Sequence, residues 1–121
     1  LDRFQAINSF WSSFGVPAYN RYAVPDGATF PYLTYETAVG SLDDLIPLSA
    51  SLWYQSDSLA ALSRKTEEIY RYIVENDPVT IEIDGGYLWI YKSGVFAQDQ
   101  ASGNDSVKSK YITIYAEFVT K

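Results

Sequence analysis

Cysteine, histidine and methionine are all absent from the 121-residue sequence. Without cysteine there are no disulfides and no thiol chemistry, and the redox state of the compartment leaves no mark. Without histidine the commonest general base and the commonest transition-metal ligand are missing. With no methionine, an N-terminus that has been processed or trimmed is expected. No run of about 18 apolar residues occurs, so no transmembrane helix is expected. No charged-then-apolar leader is visible either.

Positive charge is also scarce. Nine Lys and Arg face fifteen Asp and Glu, a net charge of −6. The basic residues are scattered, and Arg64-Lys65 is the nearest approach to a cluster. Phosphate backbones are bound by clustered Lys and Arg, so specific nucleic-acid binding is not expected.

Motifs for catalysis or metal binding are equally thin. The paired carboxylates are Asp43 with Asp44, Glu67 with Glu68, and Asp99 with Asp105. Adjacent helical residues point in different directions, which makes Glu67 and Glu68 a solvated face. Asp43 and Asp44 lack a third ligand at a usable spacing. Asp99, Asn104 and Asp105 miss the spacing of a calcium loop. No Ser has a His partner, and no Gly-x-Ser-x-Gly elbow exists. A non-enzymatic protein with no cofactor and no metal is expected. The alternative of another class is a small carboxylate-based hydrolase.

What the sequence does have is apolar and aromatic material. Hydrophobic residues make up 47% and aromatics 17%, with eleven Tyr and three Trp. Such residues, apolar in body and polar at the tip, suit half-buried sheet faces and interfaces. The length fits one domain, 1–121.

Leu1 to Phe14 reads as an amphipathic helix, with Phe4, Ile7, Trp11 and Phe14 on one face, flanked by Phe10. Gly15 and Pro17 stop it. A loop through Tyr19, Arg21 and Pro25-Asp26-Gly27 precedes a strand from Phe30 to Val39, with Pro31 at its start or at an edge. Gly40 to Pro47 reads as a connection, with Leu42, Leu45 and Ile46 set around Asp43 and Asp44. Leu48 to Gln55 alternates as a strand, Leu48, Ala50, Leu52 and Tyr54 on one side. Ser56 or Asp57 should cap a helix over 57–76 with Leu59, Leu62, Thr66, Ile69 and Ile73 on its apolar face.

Val79 to Ile83 and Tyr87 to Lys92 form a hairpin around Asp84-Gly85-Gly86. Ser93 to Ser109 is polar and predicts a long loop, functional or disordered until assembly. In it Phe96, Gln98, Asp99, Asn104 and Asp105 are candidate assembly residues. Tyr111 to Val119 closes the chain as a strand. The fold class is therefore α+β, a mostly antiparallel sheet with an N-terminal helix and one long central helix on one face.

The ordered set of segments resembles the tail-terminator, or tail-completion, family of long-tailed bacteriophages, also called minor capsid proteins. The resemblance rests on the N-terminal helix with Val16-Pro17-Ala18-Tyr19 and on Val24-Pro25-Asp26-Gly27-Ala28-Thr29-Phe30-Pro31-Tyr32-Leu33-Thr34-Tyr35. It continues through Ser51-Leu52-Trp53-Tyr54-Gln55-Ser56, the long helix, Ile83-Asp84-Gly85-Gly86-Tyr87-Leu88-Trp89-Ile90 and the last strand. It implies a virion subunit assembled in the bacterial host cytoplasm. Such a subunit forms a ring, typically hexameric, that caps the tail tube and meets the head connector or a head-completion protein. Another head–tail junction or tail-tube subunit is the nearest alternative.

A ring needs one patch to meet a different patch on the next copy. Leu42, Asp43, Asp44, Leu45, Ile46 and Trp53 are the candidate subunit contact, with Arg21, Arg64 and Lys65 as candidate partners for the acidic pair. The competing reading is that this apolar stretch folds back onto its own sheet.

Overall fold

The computed structural model describes residues 1–38 and 44–121. Helix α1 (Arg3–Ser12) leads to β1 (Ala18–Asn20), β2 (Tyr32–Tyr35) and β3 (Leu45–Gln55). Helix α2 (Ala60–Glu75) follows, then β4 (Val79–Ile83), β5 (Gly86–Gln100) and β6 (Val107–Thr120). The strands form one six-stranded sheet in the order β1-β2-β3-β6-β5-β4. Among the described residues, only β1 with β2 is a parallel pair; the other pairs are antiparallel. The expected α+β class is what the chain adopts.

Both helices pack on one face of this sheet and share one core with it. α2 buries Leu62, Thr66, Ile69 and Ile73, residues three or four apart and therefore on one side of the helix. They meet the inward residues of the long strands: Leu48, Ala50 and Leu52 from β3, Leu88 and Ile90 from β5, and Ile112, Ile114, Ala116 and Phe118 from β6. α2 touches β3, β5 and β6, whereas α1 reaches both edge strands, β1 and β4.

Several boundaries differ from the sequence reading, each for a local reason. α1 begins after Asp2, whose carboxylate accepts from the Gln5 amide while the Gln5 side chain accepts from the Asp2 amide, both at 2.8 Å. This capping box satisfies two amides that the first turn leaves free. On this helix Phe10 is buried and Phe4 is 56% exposed, the reverse of their expected roles.

α2 starts three residues later than predicted. Ser56 Oγ accepts from the Ser58 amide and Ser58 Oγ from the Ala60 amide, so the serines make turns instead of a cap at Ser56 or Asp57. Leu59 precedes the helix and is exposed. The expected loop through Tyr19 contains β1, which hydrogen-bonds β2 as an edge.

The largest correction concerns Ser93 to Ser109. This segment is not a loop: β5 runs to Gln100 and β6 starts at Val107. Regular pairing does stop at Lys92, opposite Ile114, and resumes at Ala97, opposite Ile112. The intervening Ser93–Phe96 form a bulge, held where Ser93 Oγ donates to the carbonyls of Thr113 and Val95 at 2.8 and 2.9 Å. The bulge lets Phe96 pack edge-on against Tyr70 of α2, with ring centroids 5.2 Å apart.

The β4–β5 turn matches its sequence signature. Ile83 pairs with Gly86, leaving Asp84-Gly85 as the turn, and Gly85 has φ +79°. Gly86 is required for a different reason: a Cβ there would lie 1.8 Å from the Val119 carbonyl oxygen.

Candidate assembly surface

The face of the sheet away from the helices has no covering layer among the described residues. Residues directly opposite one another on neighbouring strands share a face, so the registers define its rows. Tyr32, Trp53 and Ser109 form one row, Thr34, Ser51 and Tyr111 the next. Further along come Pro47 with Tyr115 and Tyr91, then Leu45 with Glu117 and Trp89. Strands that contribute Ile and Leu inward thus contribute Tyr, Trp, Ser and Thr outward.

Polar tips on this face are paired with one another. Trp53 Nε1 donates to Thr34 Oγ1 at 2.9 Å. Gln100 Nε2 donates to Ser51 Oγ and Ser109 Oγ, each at 2.8 Å. Tyr91 donates to the Glu117 carboxylate, and burial together with that carboxylate holds its phenol above the ordinary tyrosine range. Arg21 forms an ion pair with Glu36, which also accepts from Ser49 Oγ. Thr34, Ser49, Ser51 and Gln100 line a hollow of about 310 Å³, walled by Tyr32, Trp53 and Tyr111 with Arg21 and Glu36 at its side.

Leu42 and Asp43 lie outside the described residues. Asp44 is exposed. Leu45, Ile46 and Pro47 belong to β3, so the expected connection from Gly40 to Pro47 is shorter than predicted. Strand alternation then separates two of the candidates: Leu45 is 59% exposed, while Ile46 packs partly against the core. Trp53 is half-buried at the hollow. Leu45 and Trp53 therefore share a face but sit at opposite ends of β3, about 26 Å apart along an extended strand.

The second candidate set is dispersed along β5 and its turn. Phe96 faces α2, Gln98 lies exposed opposite Tyr111, and Asp99 pairs with Lys110. Asn104 Oδ1 accepts from the amide and hydroxyl of Ser106, and Asp105 is exposed beside it. Among the described residues no group of three or more carboxylates stands close enough to hold a metal ion. Among the described residues no helix is long and apolar enough to cross a membrane.

Sequence reasoning missed the hollow. The alternation of Tyr32, Thr34 and Glu36, and of Tyr111 and Thr113, carries half of its signal. Arg21 carries none, because nothing periodic marks a residue just after a three-residue strand.

No family model matches the chain, and no curated protein does. Among solved structures, the chain is similar to one from the virion of a native gene transfer agent particle. The TM-score is 0.70 over 97% of this chain and 94% of that one, at 14% sequence identity, a likeness of fold.

Proposed function

We propose that this chain is a non-enzymatic structural subunit of a phage-like virion, and within that class a tail terminator. It forms a ring, hexameric as is typical of the family it resembles, which closes the tail tube and offers a surface to the head connector or a head-completion protein. The observation that carries this reading is the fold likeness to a virion chain across nearly the whole length of both chains. The uncovered aromatic face supports it, because a sheet face rich in Tyr and Trp is what an assembling subunit places at a contact. Self-association is assigned to the stretch Leu42, Asp43, Asp44, Leu45 and Ile46 together with Trp53. The turn of the β5–β6 hairpin, with Asn104 and Asp105, is assigned to contact with a neighbouring virion protein.

The test is the solution mass of the purified protein by light scattering, with electron-microscope images. Closed rings are expected; open tubes indicate a tail-tube subunit, and a strict monomer removes the ring. Leu45→Glu, at an exposed position, is expected to leave folding intact and to weaken self-association. Normal assembly by that variant would remove Leu45 from the contact.

A further inference from the structure

We propose that the hollow on the open sheet face is a binding site for a neutral sugar, a pyranose ring seated among Trp53, Tyr32 and Tyr111 with its hydroxyls on the Arg21–Glu36 pair and Gln100. The inference does not rest on the ring of subunits: it concerns a cavity that one copy builds by itself.

The hollow arises from a change of side-chain size along neighbouring strands. Tyr32 of β2 stands opposite Trp53 of β3, and Thr34 stands opposite Ser51, which in turn faces Tyr111 of β6. Thr34, Ser49 and Ser51 make a floor of small side chains, the rings stand around it, and about 310 Å³ is left between them. That volume lies at the small end of the range for ligand sites. Among the described residues no aromatic pair joins Tyr32, Trp53 and Tyr111 to one another. Tyr32 instead stacks on Phe30 at 5.2 Å between centroids and tilts against Tyr19 at 6.1 Å. The walls are also fixed by hydrogen bonds, from the Trp53 indole to Thr34 and from the Gln100 amide to Ser51 and Ser109. A ligand therefore enters a site that is already ordered, which lowers the cost of binding.

Charge narrows the class of ligand. Arg21 and Glu36 are the charged side chains that line the hollow, and they are paired with each other, so the site has no net charge. An anion would meet the Glu36 carboxylate, and a cation would meet the Arg21 guanidinium. A wholly apolar ligand would take water from both without replacing its hydrogen bonds, which is costly. A sugar is neutral and offers both kinds of surface. Neighbouring hydroxyls of one ring can accept from the guanidinium and donate to the carboxylate, and hydrogen bonds to charged groups are the stronger kind. Glu36 engages one guanidinium nitrogen of Arg21, and the planar fork has further N–H donors. Gln100 spends its amide nitrogen on the two serines, and its Oε1 is left to accept. The C–H face of the sugar lies against an aromatic face, whose negative quadrupole attracts its slightly positive hydrogens.

An extended peptide fits this place less well. Such peptides join a sheet at an edge, through unpaired backbone groups. The hollow sits over β2, β3 and β6, inside the strand order, and the groups it offers come from side chains.

The experiment is saturation-transfer difference NMR on the full chain, with glucose, galactose, mannose and N-acetylglucosamine as probes. Transfer to the ring C–H protons of at least one of them is expected. The matching trisaccharide is run beside that sugar: equal affinity assigns the hollow to a single ring, and a gain assigns it to a ring within a chain. Trp53→Ala removes one wall, and Glu36→Gln keeps the shape while removing the charge of the acceptor. Each is expected to weaken binding about tenfold or more, with thermal unfolding to verify that it is folded. If Trp53→Ala does not fold, Glu36→Gln carries the test. Leu45→Glu, at the other end of β3, is expected to leave binding unchanged. Absence of transfer to all of these sugars overturns the proposal, as does unaltered binding in Glu36→Gln. Stronger binding of glucuronate or of tetramethylammonium than of the neutral sugars also overturns it, and assigns the hollow to an anion or to a cation held by the aromatic rings.

Discussion

The two faces of this sheet are made by alternate residues of the same strands, yet they solve different problems. Along β6 the inward residues are Ile112, Ile114, Ala116 and Phe118, all almost fully enclosed. The outward ones are Tyr111, Thr113, Tyr115 and Glu117, half-buried or exposed. The inner face gains stability by excluding water from aliphatic surface against the helices. The outer face holds its aromatic rings in place through hydroxyl and indole hydrogen bonds while leaving their apolar bodies accessible. A sheet face that needed only solubility would carry more charge and fewer rings, and that contrast is what the proposed assembly surface rests on.

Substitutions on the inner face give the largest expected effect and the clearest test of this contrast. Leu62→Ala and Ile69→Ala remove fully enclosed side chains between α2 and the sheet. Each is expected to lower stability by about 2–5 kcal/mol, a large share of the about 5–15 kcal/mol of a typical domain. Tyr115→Ala on the outer face is expected to change unfolding of the monomer by less than about 1 kcal/mol. Urea denaturation of the three variants compares the faces directly. Equal losses would erase the distinction.

Next in size is Gly86→Ala. The added methyl would meet the Val119 carbonyl, part of the backbone, so relief requires movement of β6 against β5. A loss of about 1–3 kcal/mol is expected, as for an overpacked core site. Gly85→Ala meets no neighbouring atom and pays only for its positive φ. The ordering of the two midpoints in a denaturation series checks that close approach, not turn conformation, is the stricter demand here.

A third expectation sharpens the comparison within one hairpin. From Gly86 to Ile90, β5 is flanked by β4 and β6; from Tyr91 to Gln100, through the bulge, β5 has β6 alone. Phe96 anchors this outer half to α2 through Tyr70. Phe96→Ala is expected to speed amide exchange across Ala97 to Gln100 about tenfold, as local opening becomes easier, while exchange in Leu88 and Ile90 stays unchanged. Exchange as fast as in an unfolded chain already in the parent protein would restore the mobile loop that composition suggests.

That hairpin also shows where the sequence is legible and where it is not. The apolar alternation of β3 and β6 and the i, i+3, i+4 stripe of α2 announce themselves because a covering layer demands apolar residues at fixed spacing. Ala97-Gln98-Asp99-Gln100 has no such demand on it: its strand character comes from backbone pairing with Ser109–Ile112 and from the Asp99–Lys110 and Gln100–Ser109 contacts. Partners nine or more residues away leave no periodic trace, so the segment reads as polar loop. The stop seen at Lys92 is real, but it marks a bulge. The same limit hid the hollow, since Arg21 and Glu36 meet only through the β1–β2 pairing. Leu45 and Trp53 were found by their chemistry; only the register places them on one face.

The smallest expected effect lies outside both faces, at the end of β6, and separates charge from packing. Lys121 donates to the Glu82 carboxylate at 2.7 Å. That hydrogen bond and its charge hold Glu82 below the usual carboxylate range and raise Lys121 above the usual lysine range. The lowered Glu82 value means that its contribution is present above the unfolded value, about 4.3, and is lost as pH falls through the folded value. The raised Lys121 value means that its contribution is present below the unfolded value, about 10.4, and is lost as pH rises through the folded one. The pair therefore acts across the neutral range and fades at both extremes. Both groups are exposed to solvent, so screening keeps the effect small. Glu82→Gln is expected to lower the melting temperature slightly at neutral pH in dilute salt. That difference should vanish at pH 3 and in molar salt. A difference that survives acid and salt would mean that Glu82 acts through packing of the β4 edge, and that this corner belongs with the inner face instead of with the solvated surface.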